Sequence, residues 1–95
     1  MILISLDEVF NMRFAAKSLV RESKKSEKES KKSKTKCKKA MEKGQMDVAK
    51  IYAQNSIRQK TEALNFLRLA SRMDAVAARL QSAAKMNTVI LTLSV

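Results

Sequence analysis

The chain has no proline, no histidine and no tryptophan, and its 95 residues include one glycine and one cysteine. Without proline, and with a single glycine, nothing breaks a helix from within. The absence of histidine removes the usual general base and a principal zinc ligand. The lone Cys37 can form neither an intrachain disulfide nor a metal cluster. No nucleophile can be paired with a base and no Gly-rich phosphate loop is present, so an enzyme is not expected and no cofactor or metal is implied. A single free thiol fits a reducing, cytoplasmic setting. The apolar stretches at 1–6 and 89–95 fall well short of the roughly 20 residues that a membrane span needs. The start also lacks the basic n-region and small-residue cleavage site of a secretory signal.

Helix formers and positive charge are abundant. Lys and Arg number 20 against 9 Asp and Glu, a formal net charge of +11, which predicts attraction to anionic lipid, nucleic acid or acidic protein. The fold class expected is all-α, an antiparallel hairpin of two long helices within a single domain over 1–95. Helix 1 is placed at about 7–43, a turn at 44–45, helix 2 at about 46–88, and an atypical tail at 89–95. Gly44 takes the left-handed cap position that ends helix 1, and Asp47 follows in the first turn of helix 2. At about 1.5 Å per residue the helices would be roughly 55 and 65 Å long.

Residues 23–39 are so rich in Lys and Ser that composition alone describes a disordered tail. Residue order contradicts it. Ala16, Leu19, Ser23, Ser26, Ser30, Ser33, Cys37 and Ala40 follow the alternating three-and-four spacing of a helix that packs along its whole length. Helix 2 offers a matching small row in Ala49, Ala53, Ser56, Ala63, Ala70, Ala77 and Ala84. Leu19, Ser23, Ser26, Ser30, Ser33, Cys37 and Ala40 are therefore assigned to hairpin packing.

Opposite that seam lie Arg13, Lys17, Arg21, Lys24, Lys28, Lys31, Lys32, Lys39 and Lys43, with Phe10 and Phe14 among them. Aromatic rings beside cations suit a membrane interface, so Phe10, Arg13, Phe14, Lys17, Arg21, Lys24, Lys28, Lys31, Lys32 and Lys39 are the candidate membrane-binding residues. The apolar Ile2, Ile4 and Leu6 just upstream favour insertion there. Helix 2 carries Val48, Ile51, Tyr52, Ile57, Leu64, Phe66, Leu67, Leu69, Met73, Val76, Leu80 and Met86 around most of its circumference, more than one partner helix can cover, which points to self-assembly. Cys37 is read as a small seam residue. Glu62 and Asp74 are read as lone carboxylates suited to an intersubunit salt bridge, and the methionines as adaptable packing.

Several runs together carry a family resemblance: FNMRFAAK at 10–17, the Lys/Ser segment, KGQM at 43–46, YAQNSIRQK at 52–60, NFLR at 65–68 and RMDAVAAR at 72–79. Over about residues 9–88 the sequence resembles the ESCRT-III family, specifically its charged multivesicular body protein 1 group. The resemblance implies an N-terminal helical hairpin of a longer fold. It also implies polymerisation with itself and other ESCRT-III subunits on anionic membrane, for multivesicular body and vacuolar protein sorting, endosomal protein transport, membrane scission and cytokinesis. It places the protein peripherally on endosomal membranes. The family's acidic C-terminal region and terminal helix, which recruits a disassembly ATPase, lie outside the matched residues. Residues 1–8 and 89–95 depart from the family pattern, and the ending from Thr88 is expected to mark a truncated isoform or a gene model read past an exon boundary. A basic nucleic-acid-binding helical module is the alternative reading of the same charge, since phosphates of either origin answer a cationic stripe.

Overall fold

The computed structural model of the chain describes residues 6–94. Helix α1 spans Leu6–Glu42 and helix α2 spans Met46–Leu93. The pair forms a rod 78 × 14 × 13 Å in extent. Asp7 and Glu8 open α1 and Lys39 lies in its last turn, each matching the partial charge at that helix end. The upstream Ile2, Leu3 and Ile4 lie outside the described residues.

The turn is set by Gly44. Its φ of +75° lies in the left-handed region that only glycine enters without penalty. The amide of Gln45 donates to the Ala40 carbonyl at 2.9 Å, and that of Gly44 donates to the Met41 carbonyl at 3.0 Å. These two bonds are the Schellman pattern, and they satisfy carbonyls that the end of α1 would otherwise leave open. A Cβ built at Gly44 would meet nothing within 4 Å, so backbone conformation alone, and not space, requires glycine there.

In α2 the buried residues Ala49, Ser56, Ala63, Ala70, Ala77 and Ala84 recur at every seventh position. Tyr52, Gln59, Phe66, Met73 and Leu80 fill the alternate seam positions half-buried. In α1 the buried set is Val9, Ala16, Ser23, Ser26, Ser30, Ser33 and Ala40, so the seam begins about two turns earlier than the sequence pattern placed it. Leu19 and Cys37 are half-buried, because side chains longer than alanine or serine spill out of a seam of this width. Ala53 is half-buried too, being one step off the seven-residue row.

With side chains this small the two backbones come within reach of a single hydroxyl. Ser23 Oγ donates to the Ala63 carbonyl at 2.8 Å. Ser30 Oγ donates to the Ser56 carbonyl at 2.8 Å, and Ser56 Oγ returns a bond to the Ser30 carbonyl at 3.0 Å. Continuing that antiparallel register places Ala16 opposite Ala70, Val9 opposite Ala77 and Cys37 opposite Ala49. The Gln59 amide nitrogen faces Ser33 Oγ at 2.8 Å and the carbonyls of Glu29 at 3.1 Å and Asn55 at 3.2 Å. Among the described residues no buried side-chain polar atom lacks a partner, so the polar seam carries no desolvation penalty for an unpaired group.

The chain after Thr88 corrects the sequence reading, because α2 continues to Leu93 and 89–93 are not a separate tail. A helix already formed propagates through β-branched residues at small cost. The hydroxyls of Thr88 and Thr92 bond back to the carbonyls of Ala84 at 3.0 Å and Thr88 at 2.8 Å, so neither is free to divert the backbone from the helix.

Two outcomes are expected for urea unfolding followed by circular dichroism. Ala63→Leu forces the seam apart and destabilises the hairpin by about 1–3 kcal/mol, whereas Leu64→Ala, one residue on and exposed, changes it by less than about 0.5 kcal/mol. Gly44→Ala lowers stability by about 1–2 kcal/mol through the left-handed backbone alone, and Gly44→Asn by less.

Candidate functional site

The seam dictates where charge can go. Three of the seven positions in each α1 repeat point furthest from α2. Between residues 17 and 39 they hold Lys17, Arg21, Lys24, Lys25, Lys28, Lys31, Lys32, Lys38 and Lys39, interrupted only by Ser18 and Thr35. No carboxylate falls on that face over this interval. Glu22, Glu27 and Glu29 all sit at positions flanking the seam. The 23 residues from Lys17 to Lys39 span about 33 Å of helix, so the result is a long face of one sign.

The candidate cations Lys17, Arg21, Lys24, Lys28, Lys31, Lys32 and Lys39 are exposed on α1. Among the described residues none of them has a carboxylate within ion-pair distance. The pair that does form, Arg58 to Glu62 at 3.0 Å, lies on α2. Arg13 differs from the rest, since its Nη2 donates to Gln81 Oε1 at 2.7 Å and ties it to α2 at the edge of the face. Phe10 and Phe14 are 67% and 57% exposed. With Arg13, Lys17 and Asp74 they line an open groove of about 310 Å³. Sequence spacing treated Asp74 as solitary. The antiparallel register carries it across to the two rings and two cations, and only knowledge of that register would have placed it there.

The hairpin-packing candidates lie on the opposite side of α1, with Ser23, Ser26, Ser30, Ser33 and Ala40 buried and Leu19 and Cys37 half-buried. Cys37 borders a shallow apolar hollow with Met41, Met46 and Ala53. No group of three His, Cys, Asp or Glu capable of holding a metal ion occurs among the described residues. No described helix is long and apolar enough to cross a membrane.

The flanks of α2 are apolar and open. Ile51, Ile57, Leu64, Leu67, Leu69 and Val76 are all exposed, Ile57 to 68%. They lie on both sides of α2, where α1 does not reach. Chemically the molecule offers two kinds of surface: an extended cationic face with two aromatic rings at one end, and greasy flanks set at an angle to it.

No family model matches the chain, but curated proteins do. It is 53% identical over 84 residues to the ESCRT-related protein CHMP1B of Arabidopsis thaliana, covering 88% of this chain and 41% of that protein. It is 53% identical over 83 residues to charged multivesicular body protein 1 of Dictyostelium discoideum, covering 87% of this chain and 43% of the relative. Against human charged multivesicular body protein 1b the identity is 54% over 70 residues, covering 74% and 35%. The chain thus spans about two fifths of the length of the curated relatives it matches. A two-helix hairpin with half its residues identical to theirs over most of its length belongs to the charged multivesicular body protein 1 group of ESCRT-related proteins.

Proposed function

We propose that this chain is a structural subunit of the ESCRT-III type, which lays the cationic face of α1 on anionic membrane and stacks through the flanks of α2 against copies of itself and related subunits. The setting is the multivesicular body, which the names of its relatives carry, and the work is endosomal sorting and remodelling of that membrane. No covalent bond is made or broken by the chain. The observation that carries the reading is the cationic face free of carboxylates between Lys17 and Lys39, opposite a seam engaged with α2.

Magnitudes favour this division of labour. A basic side chain near an anionic leaflet contributes about 1 kcal/mol, so five engaged at once give about 5 kcal/mol, enough for weak, reversible binding by one hairpin. Laid side by side, many hairpins bind far more tightly through avidity alone. Covering the α2 flanks would remove from water the apolar surface that drives the stacking. Phe10 and Phe14, standing exposed at one end of the face, supply rings that enter the headgroup layer.

Sedimentation with vesicles tests the lipid contact. The chain is expected to pellet with phosphatidylcholine vesicles containing phosphatidylserine and to stay in the supernatant with phosphatidylcholine alone. Raising salt to about 0.5 M, which shortens the screening length, should release it. The triple substitution of Lys24, Lys28 and Lys31 to Glu should weaken binding by about a hundredfold or more while leaving helicity intact. Equal pelleting with both vesicle types would overturn the electrostatic contact. Tight binding to duplex DNA without lipid preference would transfer the face to nucleic acid. For the flanks, Leu64→Glu with Leu67→Glu should abolish the concentration-dependent light scattering of the purified chain without unfolding it. Unchanged scattering would remove this flank from the assembly.

A further inference from the structure

A second cluster of cations lies where the hairpin turns, at the end of the outward face and sharing Lys39 with it. Lys36, Lys39, Lys43, Gln45, Val48 and Tyr52 surround an open hollow of about 190 Å³. Lys36 Nζ stands 5.8 Å from the centre of the Tyr52 ring. This is long for a strong cation–π contact but places the ammonium at the mouth of the hollow. No carboxylate lines it. The nearby Asp47 borders a hollow on the other side of the seam, with Cys37 and Met41.

Three ammonium groups brought to one concavity repel one another, and an anion placed among them relieves the repulsion. Three carbonyls at the negative end of α1 are taken up by the amides of Lys43, Gly44 and Gln45, which leaves the opening amides of α2 as the less satisfied backbone groups there. Gln45 begins α2 without a side-chain cap, and the first amide to find a carbonyl within that helix is Ala49, bonded to Gln45 at 2.9 Å. The positive end of a 48-residue helix therefore lies beside the lysines. Tyr52 contributes a flat wall, and Gln45 an amide able to donate.

We infer that this hollow at the turn binds a small anion bearing two or more closely spaced phosphates, held by Lys36, Lys39 and Lys43 against Tyr52. Its residues, apart from Lys39, are not those of the outward lipid-binding face. The site takes the ligand end-on at the tip of the rod, whereas the outward face lies flat. Such phosphates occur on a free inositol polyphosphate and on the headgroup of a polyphosphoinositide.

Tyr52 is the sole tyrosine and the chain has no tryptophan, so its fluorescence reports on the hollow directly. Titration of the full chain with inositol hexakisphosphate, without lipid, should change that emission saturably at one ligand per chain. Lys39→Ala with Lys43→Ala should weaken the affinity by about tenfold or more, the loss of two charge-assisted phosphate contacts. The charge-matched control, Lys24→Ala with Lys25→Ala, should change it by less than about threefold, because these lysines lie along the rod and exchange with counterions only. Circular dichroism checks that both variants stay helical. Equal weakening by both pairs, or a response that never saturates, overturns the site and leaves Lys39 and Lys43 complementing the end of α1. A vesicle arm separates the two ligand sources and does not depend on the outward face. A Tyr52 response to phosphatidylcholine vesicles carrying phosphatidylinositol bisphosphate, absent with phosphatidylserine vesicles of equal charge, assigns the headgroup. A response to inositol hexakisphosphate alone assigns the soluble ligand. Equal responses to both vesicle types, with none to the free polyphosphate, overturn the proposal while the lipid contact of α1 stands.

Discussion

The close approach of two helix backbones is the constraint from which the rest of this molecule follows. Alanine or serine at every seventh residue of α2, met by alanine, serine, cysteine and valine in α1, narrows the seam until a hydroxyl of one helix reaches the carbonyl of the other. A seam that narrow buries nothing large, and Tyr52, Phe66, Met73 and Leu80 enter it only half-buried. Most of the remaining aromatic, long aliphatic and charged side chains are displaced to positions where the two helices do not meet. The cationic face and the apolar flanks are thus the same fact seen from outside.

That arrangement gives the hairpin order with little hydrophobic core. Among the described residues no side chain larger than valine is buried, and each hydroxyl–carbonyl bond is worth only about 0.5–1.5 kcal/mol net. The exposed leucines and isoleucines of α2 are hydrophobic free energy left unused by the single chain and open to association. Stability and assembly are therefore coupled through one helix, while α1 is left to carry charge.

Much of this was legible in the sequence, and for a physical reason. Serine has no strong preference for a helix interior, so Ser23, Ser26, Ser30 and Ser33 at strict three-and-four spacing report packing and not propensity. Gly44 in a chain otherwise nearly free of glycine located the turn. What the sequence could not supply was everything that depends on register across the seam. Asp74 meets Phe10 and Arg13, and Tyr52 meets Lys36, only because the turn fixes which residue of α2 faces which of α1. The end of α2 was placed too early because residues 89–95 depart from the family pattern, whereas Val89, Ile90 and Thr92 inherit a helix already under way.

The hydroxyl lining of the seam has a consequence for the separated helices. If α1 peels away from the turn end, residues 23–39 present serines and lysines to water, and both are already content there. The peeled segment is a soluble polycation with no adhesive surface of its own, so it can leave and re-dock without being trapped in wrong pairings. The danger of indiscriminate sticking rests with α2, whose flanks are apolar whether or not its partner is in place.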